Sequence, residues 1–230
     1  MTETAIADTI DAFARAASTA EQTGFDGVEV HGAHGYLIDQ FFHDHLNLRG
    51  DRYGGATLAD RSRFAVEIVK AIRAVVSPGF PVILRLSQWK PKDFSARLTG
   101  TPRALEEWLG LFVAAGVDAL HMSERHYGQV AFPQDDAMLS LAGWAKKLTG
   151  RTIVAVGSVG LVGDTYQSFA GRTSPVAPLD DLLARLDRDE FDLVAVGRAL
   201  LADPAWLEKV KQGRREDLQD FTPEAFTTLA

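Results

Sequence analysis

The chain contains no cysteine, which removes disulfides, thiolate metal centres and thiol nucleophiles from the possible chemistry. It has no apolar run near the roughly 20 residues that a bilayer-spanning helix needs, so no membrane partner is expected. The opening residues, Met1-Thr2-Glu3-Thr4-Ala5, carry neither the basic nor the apolar region of a secretory signal, and the expected location is cytoplasmic. Positive charge is in deficit as well. Against 31 acidic residues stand 24 Lys and Arg, a formal charge of -7, so nucleic acid is not an expected partner. A local anion site survives that balance, because a few oriented backbone N–H groups and one Arg suffice. What remains is 46% hydrophobic and 24% charged over 230 residues, a composition for one globular domain spanning 1–230.

Along the chain, helical and strand-like patterns alternate. Residues 5–23 place Ile6, Ile10, Phe13 and Ala17 three or four apart, with Gly24 as a stop. Asp26 to His31 is β-prone. Arg61 to Val76 carries Phe64, Ile68 and Ile72 on one stripe. The strand-like run Pro81–Ser87 precedes a helix over Pro102–Ala115, where Thr101 suits an N-cap and Pro102 the first helical position. Ala119–Ser123, Thr152–Gly157 and Asp192–Gly197 read as three further strands; helices are expected over 139–148, 179–186 and 204–211. Strands that are apolar on both faces and alternate with helices predict a parallel sheet, with ligands at the C-terminal strand ends. No linker and no tandem repeat interrupts this rhythm.

The densest polar cluster, His31-Gly32-Ala33-His34-Gly35-Tyr36, follows the first strand directly. Two imidazoles can hold negative charge developing on a ligand oxygen, and a phenol beside them can deliver a proton. Two other readings stay open: a His capping a strand end with Tyr36 in the core, or a His-x-x-His metal site helped by Asp39, His43 or His45. Arg85, inside an apolar strand, demands either a ligand or an ion-pair partner such as Glu29. Val156-Gly157-Ser158 and Gly197-Arg198 end consecutive strands. There glycine admits a phosphate close to the backbone, and Arg198 adds charge-assisted bonds. His121, His126, Tyr127 and Trp89 are weaker candidates for the pocket. Lys90, Lys92 and Arg97 can steer a nicotinamide phosphate but read better as a solvated loop, as does the charge run Asp187–Glu190.

Gly24-Phe25-Asp26-Gly27-Val28-Glu29-Val30-His31-Gly32-Ala33-His34-Gly35-Tyr36-Leu37, followed by Asp39-Gln40-Phe41, resembles the signature of the Old Yellow Enzyme family. Asn47-Leu48-Arg49-Gly50-Asp51-Arg52-Tyr53-Gly54-Gly55, then Arg61-x-Arg63-Phe64, resembles a second motif of that family, and Gly197-Arg198 to Pro204 a third. The resemblance implies an FMN-dependent (β/α)8 TIM barrel that uses NADH or NADPH to reduce an activated alkene such as an α,β-unsaturated carbonyl. It assigns His31 and His34 to the substrate oxygen and Tyr36 to protonation of the α-carbon, with hydride passing from flavin N5. Arg85 falls beside the flavin N1/C2 edge; Val156, Gly157, Ser158, Gly197 and Arg198 fall around the phosphate.

One departure accompanies this likeness. Only five strands are legible where a closed barrel has eight, so the expectation is an incomplete barrel: strands 4–8 present, strands 1–3 missing with about 130–150 preceding residues, given the usual barrel size. The alternative to an ene-reductase is therefore a non-catalytic fragment or split-enzyme subunit that needs a complementing chain, or a homo-oligomer, to close the fold. A phosphate-binding barrel lyase or isomerase ranks last, since no strand ends in Lys.

Overall fold

The computed structural model describes residues 1–91 and 93–228. In chain order the helices and strands are α1 (Glu3–Gln22), β1 (Val28–Gly32), α2 (Leu37–Phe42), α3 (Leu58–Arg61), α4 (Arg63–Arg73), β2 (Val82–Leu86), α5 (Pro102–Ala115) and β3 (Ala119–Ser123). They continue with α6 (Leu141–Thr149), β4 (Thr152–Val156), α7 (Thr165–Phe169), α8 (Asp180–Asp187), β5 (Leu193–Val194), α9 (Arg198–Ala202) and α10 (Trp206–Lys211). No helix among the described residues is long and apolar enough to cross a membrane.

The long helices start and stop where side chains can satisfy their free backbone ends. The Thr2 hydroxyl accepts from Ala5 N–H, Thr101 from Ala104, and Ser140 from Gly143. Pro102 occupies the first turn of α5, and Gly116 closes that helix at φ 106°, a conformation that glycine adopts without Cβ strain. In α4, Phe64, Ala65, Ile68, Val69 and Ile72 form one fully buried stripe.

All four strand pairs are parallel, and the order is β1-β2-β3-β4-β5. Each strand therefore lies beside its sequence neighbours with no reversal of direction of travel, unlike a doubly wound sheet. The two faces differ sharply. Val30, Val82, Leu84, Leu86, Leu120, Met122, Ile153 and Ala155 are buried within the main hydrophobic core. The alternate residues, Glu29, His31, Ile83, Arg85, Val154 and Leu193, point to the opposite side and stay partly or fully exposed. The sequence-based expectation of strands covered on both faces holds for β3, whose Ala119, His121 and Ser123 are buried as well, and is corrected for the other strands, where this face is only partly covered. The last strand is also shorter than the run 192–197 predicts. Ala195 N–H still reaches Ala155 carbonyl, but β5 has a neighbour on one side only, and Val196-Gly197 turns into the cavity wall.

A recurring clip fixes the lower ends of the strands. Asp118, just before β3, accepts from Val82 N–H and from Arg73 at the end of α4. Asp192, just before β5, accepts from Ile153 N–H and from Lys146 in α6. In both cases the preceding apolar residue, Val117 or Phe191, is 1% exposed. Phe25-Asp26 stands in the same place before β1, yet Phe25 is 66% exposed.

Candidate active site

A cavity of about 860 Å³ opens at the C-terminal ends of the strands. Its wall takes His34 and Tyr36 from the turn after β1, Arg85 from β2 and Ser123 from β3. Val156, Gly157 and Ser158 come from the end of β4, and Gly197 and Arg198 from the segment after β5. Eight of the nine residues singled out from sequence thus face one space. The ninth, His31, stands just behind, its ring edge-on to His34 at 5.2 Å and to Tyr36 at 5.0 Å between centroids.

The backbone at His34-Gly35 is left-handed, with φ of 61° and 74°, and this turn brings both imidazoles and the phenol together. His31 Nδ1 accepts from Ala33 N–H at 3.2 Å, which leaves Nε2 as the protonated nitrogen of the neutral ring. His34 stacks on Trp89 at 4.7 Å, and its Nε2 lies 2.8 Å from Ser123 Oγ. Arg85 donates to that same hydroxyl at 3.3 Å. A hydroxyl oxygen has two lone pairs, so Ser123 can accept from Arg85 and from a His34 Nε2–H together. Burial, reinforced by the Arg85 cation, holds His34 neutral down to about 3; burial and Arg85 lower His31 in the same sense.

Two cations on the wall lack counter-ions. Glu29, the acid best placed to neutralise Arg85, bonds His121 Nδ1 at 2.7 Å instead, and Arg85 Nε is buried without a partner. Arg198, 8% exposed, is held by the hydroxyls of Ser168 and Ser174 and the carbonyl of Gly163, all neutral groups. Asp164, the nearest acid, pairs with Arg125. The N–H groups of Ser158, Val159, Arg198 and Ala199 bond no acceptor among the described residues. Gly157, at φ 140°, is packed so closely that a Cβ would lie 2.4 Å from Glu124 carbonyl. The Ser158 hydroxyl itself turns away, donating to the carbonyls of Arg125 and Gly163, so only its N–H is available to a ligand. This arrangement can hold a ligand with an anionic group at one end and an electron-rich edge near Arg85.

Several secondary expectations are corrected. Lys90 is not solvated: it is buried and bonds Asp39 at 2.6 Å. Arg97, by contrast, is exposed in its loop as expected, bonding that loop's own carbonyls, and Lys92 lies outside the described residues. His121 sits deeper, on Glu29, while burial and Asp181 push the Tyr127 hydroxyl up to about 12. Glu190, placed by sequence in a solvated charge run, is buried and receives Ser140 and Arg185. Ser123 and Ser87 were not singled out, although both end strands, the position at which parallel folds place ligands. Among the described residues no group of three or more acidic or imidazole side chains is placed to hold a metal.

Comparison with known proteins places this geometry in a family. The sequence model of the NADH:flavin oxidoreductase / NADH oxidase family matches residues 1–160. The NADH oxidase of Thermoanaerobacter brockii is 31% identical over 93% of the chain and 30% of its own length. The 12-oxophytodienoate reductase 1 of Oryza sativa subsp. japonica is 37% identical over 79% of the chain and 51% of its own. A structure of morphinone reductase in complex with tetrahydroNAD superposes with a TM-score of 0.71 at 25% identity, covering 98% of the chain and 53% of that protein. The chain thus spans between about a third and about half of the length of these relatives.

Proposed function

The chain belongs to the NADH:flavin oxidoreductase / NADH oxidase family, and from that premise we propose that its cavity binds FMN and reduces activated alkenes at the expense of NADH or NADPH. The observation that carries this reading is the pair of guanidiniums on one cavity wall, Arg198 buried and Arg85 half-buried, neither bonded to a carboxylate among the described residues, in a chain whose overall charge is -7. Two such cations are costly to bury unless an anionic ligand completes them. Arg198 and the N–H groups that follow β4 and β5 would hold the FMN phosphate. Arg85 would face the N1/C2 edge of the ring, where a permanent cation favours the reduced anion.

FMN, when bound, supplies hydride transfer from NADH or NADPH to the β-carbon of the alkene. The residues of the chain handle the other half of the addition. His31, with a protonated Nε2, donates to the carbonyl oxygen of the substrate. His34 contributes by releasing Ser123, so that the ligand oxygen takes the place of that hydroxyl. Both rings stay neutral, donating hydrogen bonds without surrendering protons. Tyr36 gives its phenolic proton to the α-carbon and regains one from solvent, to which it is 63% exposed. The names of two relatives, a 12-oxophytodienoate reductase and a morphinone reductase, support an oxo compound as the substrate class.

The deciding experiment is an absorbance spectrum after incubation with FMN and gel filtration. A retained flavin band that bleaches with NADH or NADPH and returns on adding an enone is the expected result. Loss of the band in wild-type protein and in an Arg85→Lys variant alike would sink the assignment for this chain.

A second reading, a partial barrel of strands 4–8 that needs a complementing chain, has its own support. The inner sheet face is only partly covered outside β3, and Phe25-Asp26 repeats the clip residues found before β3 and β5 but grips nothing among the described residues. A strand preceding β1, led by a helix ending in Lys or Arg, would complete it. Sedimentation decides between the readings: a monomer that retains FMN excludes the need for a partner.

A further inference from the structure

We infer that the buried Asp39–Lys90 ion pair is a positioning device that locks the left-handed turn at His34-Gly35, and with it the His34 ring and Tyr36, onto the segment following β2. The inference rests on the substrate-side roles proposed above for those two residues. It begins with a backbone that needs holding. His34 is one of three non-glycine residues with positive φ among the described residues, a conformation that L-residues with a full side chain resist. Nothing local to 34–35 supplies a β ladder or a helix to hold it.

The segment Ser87–Pro91 supplies the restraint. Ser87 Oγ accepts from His34 N–H at 3.1 Å, the Trp89 indole stacks on the imidazole, and Pro91 closes over Gly35. Asp39 completes the clamp from the other side. Its Oδ2 accepts from Gly35 N–H at 2.7 Å, and its Oδ1 receives Lys90 Nζ at 2.6 Å. Lys90 also donates to Ser87 carbonyl at 3.3 Å. Asp39 lies in the first turn of α2, whose N-cap residue is Tyr36. One carboxylate therefore ties the catalytic turn, the start of the helix that carries Tyr36, and the segment after β2.

Energetic considerations favour positioning over simple stabilisation. Asp39 is fully buried and Lys90 nearly so. Burial raises the carboxyl and lowers the ammonium, each opposed by the other's charge. A buried pair of this kind recovers little net stability relative to neutral groups of the same shape, and its distinctive contribution is a single geometry. The double variant Asp39→Asn, Lys90→Met tests this, because it removes opposite charges together. Of the charges that depress His34, namely Arg85, His31, Lys90 and His121, the variant removes Lys90, so amide exchange is the readout that separates a loosened turn from a lost charge.

Two readouts need no flavin, so they stand whether or not the chain proves to be an ene-reductase. The first is amide exchange at His34 and Gly35, expected to accelerate by about tenfold or more once the clamp loosens. The second is the His34 ring titration followed by NMR, expected to move up toward the ordinary imidazole range near about 6.5. Unchanged exchange, whatever the titration does, would overturn the inference and leave the pair a plain staple. If the double variant does not fold, Asp39→Asn alone keeps an acceptor beside Gly35 N–H, leaves Lys90 in place and tests the clamp by amide exchange, judged in the same direction.

Discussion

Gly157 shows how little room the candidate site leaves for a side chain. At φ 140°, with a Cβ placed 2.4 Å from Glu124 carbonyl and 2.9 Å from His126 N, Gly157→Ala must shift the loop after β4. Strain of roughly 1–3 kcal/mol is expected, with FMN retention reduced by about tenfold or more in a spin-column assay; unaltered retention would remove this loop from the phosphate site. Acid should act through the imidazoles. His34 is held neutral down to about 3 and His43 down to about 4, both chiefly by burial. Below the unfolded value of 6.5 the unfolded chain binds protons that the folded one refuses, so stability falls as pH drops from about 6.5 toward 4. Glu124, which burial pushes up to about 7, acts in the opposite sense, gaining stability as pH falls through that value. Two strongly shifted histidines outweigh one carboxyl, so the melting temperature should decline on acidification, and His43→Gln should flatten the decline. At this scale the sequence was informative about identity and silent about partners. The convergence of His34, Tyr36, Arg85 and Arg198 on one cavity was legible because they stand at strand ends and beside glycine loops. Ser123 and Lys90 were not, since their partners lie 89 and 51 residues away.

The elements repeat a device that composition alone hides. Asp118 and Asp192 each join a strand N–H to a cation on the preceding helix, whereas Asp26 joins nothing among the described residues. Asp118→Ala and Asp192→Ala should each cost about 1–3 kcal/mol by leaving a strand N–H and a cation unpaired. Asp26→Ala should fall within about 0.5 kcal/mol of wild type. Urea titration of the three variants checks the contrast, and equal losses would mean that the clip does not hold the strands. Helix α5 was legible to the residue, because Thr101, Pro102 and Gly116 are start and stop signals in their own right. Helices α2, α7 and α9 were not: five or six residues are too few for a 3.6-residue period to emerge, and their neighbours in space set their conformation.

At the scale of the molecule, the parallel sheet followed from the alternation of strand and helix, but the state of its two faces did not. An apolar run such as Val82-Ile83-Leu84 looks the same whether one side or both are covered. The inner face presents Ile83, Val154 and an exposed Leu193 beside Glu29, His31 and Arg85. Apolar surface of this kind favours association. Sedimentation velocity should therefore show concentration-dependent self-association, and Leu193→Lys should suppress it without lowering the melting temperature. Association that ignores this substitution would place the contact elsewhere.

The strand order has a consequence for synthesis on the ribosome. Because each strand after β1 pairs with the one made just before it, each new β/α unit emerges to find its template already in place. No unit must wait for a distant one, so loop-closure costs stay small and assembly can proceed from the first unit to the last. The same arrangement lets the sheet grow by whole units at either border: a row of strands laid down in sequence can be lengthened without redrawing any existing pairing.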